Sequence, residues 1–293
     1  MLFFASLVVD GVLAGAVYAL IALGFVVVYK ASGAINFALG EWALLGSRIV
    51  ATGAHALGLG LAGAVGAACV GMVGVALAFN RFVLRPMVGR PLISVIMVTL
   101  GLGALIRGLA PLAFGGVPAI PLPAPPGPLE IWGVPISVER LACAGIAAAC
   151  IALTGGLFRF SRTGLALRAI ADDQQVAMAM GIDVHRHVSL VWAILGVISV
   201  VTGVLWTFTT GGGFGVVIMG LKVFPILIIG GLDSIRGVLV GAVFVGVLES
   251  LAAGYLDPLL GAGFSSVASY LALVAVLFAR PHGLFGRAEI ARV

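Results

Sequence analysis

Six charged side chains lie inside long apolar runs of this sequence. They are Asp10, Glu41, Arg48, Arg107, Lys222 and Glu249. If these runs cross a bilayer, each charge near the centre costs about 2.5–3.5 kcal/mol on insertion scales and is expected to face a bundle interior or a water-filled path. Two interpretations are open. The charges pair internally (Glu249 with one of the cations, for example) or snorkel, or they form a cationic vestibule that attracts an anionic group such as a carboxylate.

Two segments combine such charges with helix-disturbing residues. One, 33–41, places Asn36 and Glu41 between glycines, and the other runs from Lys222 through Phe224 and Pro225 to the glycine pair 230–231. Interrupted apolar segments in both halves of a transporter typically mark a solute site near the midplane. The candidate residues of a solute path are therefore Asn36, Glu41, Arg48, Arg107, Lys222, Phe224 and Glu249.

No sequence motif of an enzyme accompanies these residues. The sequence contains neither a metalloprotease HExxH motif nor a GxSxG nucleophile elbow. The stretch 215–222 resembles a phosphate-binding loop, but no Lys directly follows its second Gly. The chain is thus predicted to be no enzyme and to carry no cofactor or metal, so any ATP is used by partner subunits.

The composition requires a lipid environment. Of 293 residues, 62% are hydrophobic and only 9% are charged, whereas soluble domains carry roughly 25% charged residues. Such a chain cannot cover a water-facing surface, and it is too apolar for disorder. The net charge of +5 is interpreted as a matter of membrane sidedness and not of nucleic-acid binding.

Apolar runs long enough for bilayer-crossing helices, about 20 residues each, fill most of the chain. They are 5–29, 35–54, 58–80, 92–114, 138–158, 188–210, 216–232, 237–256 and 265–279. The run 216–232 contains Pro225 and could be broken or re-entrant. The sequence predicts one all-α, polytopic helix bundle over 1–293, with eight or nine spans.

Basic residues fall in alternate connections, which predicts the orientation. They are Lys30, the cluster Arg81, Arg85 and Arg90, the cluster Arg159, Arg162, Arg168 and Arg186, and Arg280, Arg287 and Arg292. By the positive-inside rule these connections are cytoplasmic. The N-terminus is then outside and the C-terminus inside. Glu41 is placed in the inner half of its span, and Arg48, Arg107, Lys222 and Glu249 in the outer half. The proline-rich stretch 115–137 is external, with stiff, polyproline-like backbone.

The cytoplasmic stretch 158–187 is long enough to be organised. Its apolar residues are spaced as in one or two short amphipathic helices, and Gly181 is typical of a helix C-cap. Because Asp172 and Asp173 offset the arginines, docking into a partner is favoured over lying on lipid.

Several segments together resemble the permeases of branched-chain amino acid ABC importers of the LivH type. They are GAVYALIALG at 15–24, GAINFALGE at 33–41, RPMVGRP at 85–91, TLG at 99–101, RTGLALRA at 162–169, GID at 181–183, GLKVF at 220–224 and RPHGLFG at 280–286. They occur in order over essentially the whole chain. Four positions depart from the family pattern: Leu39, Arg48, Pro225 and Arg236.

The resemblance implies a permease subunit in a bacterial cytoplasmic (inner) membrane. It would move branched-chain amino acids, or a related small amide or carboxylate solute, delivered by an extracytoplasmic solute-binding protein. The implied partners are a second, LivM-type permease chain and two ATP-binding subunits. The stretch 158–187 would couple to the ATPase through Arg168, Asp172, Ala177 and Gly181.

Two other function classes share part of the pattern. A secondary transporter or channel for a small polar solute would have similar spans but would not need the loop 158–187. A non-transporting structural subunit would explain the glycines spaced for close helix packing, such as Gly11 and Gly15. It gives no reason for charges within spans.

Overall fold

The chain folds almost entirely into α-helices. The computed structural model describes residues 1–87, 90–115, 120, 127–131, 134–211, 215–232, 234–261, 263–280 and 283–286. In these residues the helices are α1 (Leu2–Ser32), α2 (Leu39–His55), α3 (Leu61–Phe79), α4 (Leu92–Phe114), α5 (Val138–Phe160), α6 (Arg162–Asp172), α7 (Gln174–Ala179), α8 (Val184–Thr210), α9 (Gly215–Gly230), α10 (Ile235–Tyr255), α11 (Asp257–Leu260) and α12 (Phe264–Ala279). The all-α prediction is confirmed.

Within the described residues, six segments are long and apolar enough to cross a membrane. They are Leu2–Ser32, Leu61–Met87, Leu92–Phe114, Val138–Phe160, Val184–Thr210 and Ile235–Tyr255. A helix satisfies all its backbone groups internally, which a bilayer demands because it offers no water to bond them. The protein is therefore a multi-pass membrane protein. The finer count of eight or nine spans, and their orientation, stay predictions.

Helix α9 is continuous through Pro225, although the sequence suggested a break there. Its 16 residues extend roughly 24 Å at 1.5 Å per residue. This is shorter than the ~30 Å hydrocarbon core of a bilayer. Pro225 thus does not end the helix, and α9 is a short apolar helix within the described chain.

Between α4 and α5 the chain forms a small antiparallel hairpin. Strand β1 (Leu129–Ile131) pairs with β2 (Val134–Ile136), and Leu129 lies opposite Ile136. The sequence did not predict this hairpin. In the proline-rich stretch 115–137, which was expected to be polyproline-like, residues 116–119, 121–126 and 132–133 lie outside the described residues.

The chain divides into two compact units. Unit 1 comprises the described parts of Met1–Val26, Ala124–Ala148 and Lys222–Val293, and unit 2 those of Val27–Pro123 and Ala149–Leu221. In unit 1, α1 packs on α10 so closely that a Cβ on Gly15 would lie 2.8 Å from the Cα of Val243. Any side chain at position 15 would therefore separate the two helices. Gly11 and Gly15 are spaced as in a GxxxG pattern, which lets two helices approach closely, and this contact explains the pattern.

The core of unit 2 is built around aromatic side chains on α2, α3 and α8. Trp42 and Trp192 are fully buried, with ring centroids 5.9 Å apart. Phe79 completes the group, 6.0 Å from Trp42 and 5.3 Å from Trp192. Such tilted and edge-on arrangements are the favoured geometry for aromatic pairs. This cluster holds α2, which carries Glu41 and Arg48, in place.

Candidate functional site

In unit 1 the candidate residues converge on the carboxylate of Glu249. Glu249 lies on α10 and is buried. Its Oε2 accepts hydrogen bonds from Tyr18 Oη (2.7 Å) and Lys222 Nζ (3.2 Å), and its Oε1 accepts one from Ser269 Oγ (2.6 Å). Helices α1, α9, α10 and α12 each contribute one of these groups. The carboxylate thus has three donors, one of them a cation.

The contact with Lys222 confirms the internal ion pair that the sequence allowed for Glu249. The Lys222 and Glu249 side chains are 15% and 10% exposed, so neither charge is well hydrated. Together they are neutral, and any anionic solute near Lys222 competes with Glu249. The cationic vestibule stays a prediction. Glu249 places a negative charge next to Lys222, one of the cations expected to form it.

Two partners of this cluster, Tyr18 and Ser269, were not identified from the sequence as polar site residues. Tyr18 is 231 residues from Glu249 in sequence, and hydroxyl side chains are common in transmembrane helices. The signal that could have identified Tyr18 was a phenol within the apolar run 5–29.

Phe224 lies next to this cluster in sequence and faces α1. Its ring is 6.0 Å from that of Phe25, in an edge-to-face arrangement. At the other end of α1, Asp10 forms an ion pair with Arg140 of α5 at 2.9 Å. This pair is more exposed, and Arg140 was not among the candidates.

In unit 2, Glu41 of α2 forms an ion pair with Arg107 of α4. Glu41 Oε1 lies 3.2 Å from Arg107 Nε, and the two side chains are 8% and 44% exposed. The sequence placed them in opposite halves of the membrane, but the structure brings them together. A Cβ at Gly103 would lie 3.1 Å from the Glu41 carboxyl carbon, so α4 leaves room for this carboxylate. Arg48, two turns further along α2, is half-buried.

The link between α1 and α2 is irregular, and Asn36 lies within it, fully buried. Asn36 Oδ1 accepts a hydrogen bond from the Ala38 amide at 3.0 Å. Its Nδ2 has no hydrogen-bond partner among the described residues. Thr99 of α4 fixes the link, since its Oγ1 accepts from the Phe37 amide (3.3 Å) and lies 3.2 Å from the Ile35 carbonyl. The site thus presents an amide donor with hydrogen-bonding capacity to spare.

The stretch 158–187 contains two short helices, as the sequence predicted. Ser161 caps α6 by accepting from the Gly164 amide at 2.9 Å, and Asp173 caps α7 by accepting from the Gln175 and Val176 amides. Gly181, with φ of +82°, has the left-handed conformation of a residue just beyond a helix C-terminus. Its prediction as a C-cap is confirmed.

The four residues assigned to ATPase coupling differ in exposure. Arg168, Asp172 and Gly181 are exposed, whereas Ala177 is only 3% exposed. Ala177 therefore packs inside unit 2, on the buried face of α7. The outer surface of α7 and the residues after it is apolar instead: Val176, Met178 and Met180 are 58%, 52% and 78% exposed.

No group of three or more His, Cys, Asp or Glu side chains among the described residues could hold a metal ion. The fold and the polar clusters define a multi-pass α-helical membrane protein, in which oppositely charged side chains pair between helices.

The chain belongs to the family described as branched-chain amino acid transport system / permease component, whose model matches residues 7–279. The resemblance seen in the sequence is thereby confirmed.

Relatives of the same kind match along the whole chain. It is 29% identical to the high-affinity branched-chain amino acid transport system permease protein LivH of Escherichia coli K12, over 100% of this chain and 98% of the relative. It is 28% identical to the permease protein BraD of Pseudomonas aeruginosa, over 97% and 96%.

A solved structure, PsaBC from Streptococcus pneumoniae in complex with Fab, matches with a TM-score of 0.53 and 15% identity, covering 94% of this chain and 92% of that one. This likeness concerns the fold alone.

Proposed function

We propose that this chain is the transmembrane permease subunit of an ABC importer, in a bacterial cytoplasmic membrane. It forms the path for branched-chain amino acids, or for a related small amide or carboxylate solute delivered by a solute-binding protein. The observation that carries the proposal is the family match over residues 7–279, together with permease relatives aligned over nearly their full length.

The partners follow from this assignment. The importer comprises this chain, a second LivM-type permease chain and two ATP-binding subunits, which hydrolyse ATP. Val176, Met178 and Met180 support this assembly, because apolar side chains exposed beside a capped helix are typical of a surface that packs against another protein. In this proposal α6 and α7, with Arg168, Asp172 and Gly181, transmit ATP-driven motion to the membrane helices.

The residues that we propose for the solute path occur in both units. In unit 2 these are Asn36, Glu41, Arg48 and Arg107. In unit 1 they are Lys222, Phe224 and Glu249. The Nδ2 of Asn36 is buried without a hydrogen-bond partner among the described residues, so it could donate to a carbonyl or carboxylate oxygen when helix movement opens the path. Because each buried carboxylate is already paired with a cation, contacts with solute are weak, which suits a path that must release what it receives.

Reconstitution of the complete importer tests the proposal. The chain is coexpressed with its ATP-binding and second permease subunits, placed in proteoliposomes with internal ATP, and supplied with binding protein and radiolabelled leucine, isoleucine or valine. We expect uptake only when both ATP and binding protein are present. The matched control holds a non-hydrolysable ATP analogue. Uptake of the same solutes by the chain alone, without ATP, would instead establish a secondary transporter or channel.

A further inference from the structure

A cavity of about 350 Å³ lies within unit 2, at the arginine-rich ends of its helices. It is bounded by the end of α1, the turns that follow α3, the first turn of α4, helix α7 and the start of α8. The charge distribution predicts that this end is cytoplasmic. The cavity belongs to neither polar cluster described above.

The charged side chains that line the cavity are both cationic. They are Arg85 and Arg90, accompanied by the neutral polar side chains of Ser32, Asn80 and Gln174, and no Asp or Glu is among the lining residues. Neither arginine forms an ion pair with a described residue. The site is therefore positive, with no counter-charge from the described part of the chain.

The guanidinium of Arg85 is held in place while one of its donors stays unused. Ser189 Oγ accepts from Arg85 (3.1 Å) and from Asn80 Nδ2 (2.8 Å), and donates to the His185 carbonyl (2.7 Å). The Nε of Arg85 is buried without a hydrogen-bond partner among the described residues. A buried donor left unsatisfied is costly, so the guanidinium of Arg85 has hydrogen-bonding capacity to spare.

A second unused donor belongs to another residue of the lining, Trp192. Trp192 is fully buried, and its indole N–H has no partner among the described residues. Guanidinium and indole groups only donate. Because Arg85 and Arg90 line the cavity, a ligand there is expected to bring several acceptor oxygens, and an arginine fork matches phosphate oxygens well.

The apolar surroundings indicate what carries such an oxyanion. Leu92 of α4 lines the cavity and is 50% exposed. The neighbouring Ile93 and Met97, 68% and 58% exposed, continue an apolar surface along α4, a membrane-crossing helix. A molecule with a phosphate group at Arg85 and Arg90 could lay an acyl chain along this surface. Basic pockets between helices at the cytoplasmic interface are suited to anionic headgroups.

We propose that this cavity binds a phosphate oxyanion, carried by the headgroup of an anionic phospholipid. The same chemistry would accept free inorganic phosphate, so the experiment must separate the two sources. Helix α7 forms one wall, through Gln174 and Met178, and Gln174 Nε2 also donates to the Ala31 carbonyl at 3.2 Å. The bound headgroup would therefore brace α7 against the membrane helices.

Lipid binding to the purified full-length chain tests the site. The delipidated chain in detergent is titrated with phosphatidylglycerol, or with phosphatidylcholine of the same acyl chains, and retention is measured by native mass spectrometry. We expect phosphatidylglycerol to bind at least about tenfold more tightly. Each of Arg85→Gln and Arg90→Gln should weaken it about tenfold, because each removes a charge-assisted contact.

The matched control is Arg81→Gln, which removes the same charge one turn earlier, from an exposed residue that does not line the cavity. It should change the affinity less than twofold. Arg90 is exposed, so Arg90→Gln keeps the test valid even where Arg85→Gln impairs folding.

A third arm uses inorganic phosphate alone. The double variant Arg85→Gln/Arg90→Gln is compared with the wild type. If phosphate raises the melting temperature of the wild type but not of the double variant, and the two lipids bind equally, the oxyanion site stands and its ligand is free phosphate. The proposal is overturned if the double variant keeps the full preference for phosphatidylglycerol. It is equally overturned if the wild type responds to neither anionic lipid nor phosphate.

Discussion

Glu249 is expected to contribute to the stability of unit 1, because its carboxylate is the counter-charge of the poorly hydrated Lys222 ammonium. Replacing Glu249 by Gln leaves the Lys222 ammonium without a counter-charge. Removing one partner of a buried ion pair typically costs 3–5 kcal/mol, so we expect the free energy of unfolding in detergent to fall by about 3 kcal/mol. Thermal or denaturant unfolding followed by circular dichroism measures this loss.

Two further variants separate charge from hydrogen bonding. Tyr18→Phe removes only the donor 2.7 Å from the carboxylate and should cost about 1.5–3 kcal/mol, as for other hydrogen bonds to charged groups. The double variant Lys222→Met/Glu249→Gln removes both charges and should recover most of the stability lost in Glu249→Gln. If the double variant is as unstable as the single one, the ion pair is not what Glu249 provides.

The same double variant tests the cationic vestibule. In the double variant, as in the wild type, positions 222 and 249 together carry no net charge. The double variant, however, no longer offers an ammonium group to a passing carboxylate. If Lys222 attracts anionic groups, uptake of carboxylate-bearing solutes should fall severalfold more than uptake of neutral amides. Competition assays with the reconstituted importer measure the ratio. Equal losses for both solute classes would show that Lys222 serves only its partner Glu249.

Asp257, the first residue of α11, is expected to make the local stability of the segment between α10 and α12 depend on pH. Its carboxylate accepts from the Ser265 amide (2.7 Å) and hydroxyl (3.0 Å). The hydrogen bond from the Ser265 amide is the main reason that the pKa of Asp257 lies below its usual value. A depressed pKa adds stability above the unfolded-state value of about 3.9, and this is lost as the pH falls through the folded-state pKa.

Hydrogen exchange of the Ser265 amide follows this effect. Protection should be constant above pH 4 and should decrease at lower pH, once exchange rates are corrected for intrinsic chemistry. Asp257→Asn, which keeps an acceptor oxygen but cannot titrate, should abolish the dependence. If the protection of the Ser265 amide still decreases at low pH in Asp257→Asn, the effect comes from another titrating group.

At the scale of elements, α7 is divided into a buried face and an exposed one, and the two faces predict different defects. Met180→Glu places a charge on a residue that is 78% exposed, so chain stability should change little while capture of the ATP-binding subunit falls about tenfold or more. Ala177→Asp buries a charge at a position that is 3% exposed and should destabilise the chain itself. Copurification and melting temperature distinguish the two. Normal assembly of Met180→Glu would mean that this surface contacts no ATPase.

The helices themselves were largely predictable from sequence because an apolar run of span length has one way to satisfy its backbone in lipid. The run 92–114 coincides with α4, and 58–80 differs from α3 (Leu61–Phe79) only at its ends. Predictions were less successful where tertiary packing decides. Helix α2 begins only at Leu39, because Thr99 holds the preceding link in irregular conformation. Pro225 does not interrupt α9, contrary to its local propensity.

The candidate site was predictable as a set of residue types but not as a set of contacts. A charge in an apolar run is visible in any sequence, so Glu41 and Glu249 could be selected. Their partners depend on which helices adjoin, and nothing in the spacing singles out Arg107 for Glu41 or Ser269 for Glu249. Likewise, the burial of Ala177 could not be inferred from α7, because its six residues make fewer than two helical turns.

At the scale of the whole molecule, the remaining prediction is the sidedness of the chain. The hairpin β1–β2 precedes α5, and α6 follows it directly, so a crossing by α5 puts Glu130 and Asp172 on opposite sides of the membrane. The excess of arginine at 159–186 predicts that Asp172 is cytoplasmic. Both residues are exposed in the structure, so a cysteine at either position is open to reagent without disturbing the packing.

Labelling with a membrane-impermeant maleimide decides the sidedness. Cys69, Cys143 and Cys150, the free cysteines of the chain, are first replaced by Ala, and then Glu130→Cys or Asp172→Cys is introduced. In intact spheroplasts we expect Glu130→Cys to react and Asp172→Cys to react only after the membrane is permeabilised. The reverse pattern would invert the orientation but keep α5 as a crossing helix. Reaction of both from the same side would show that α5 does not cross, and the span count would then have to be lowered.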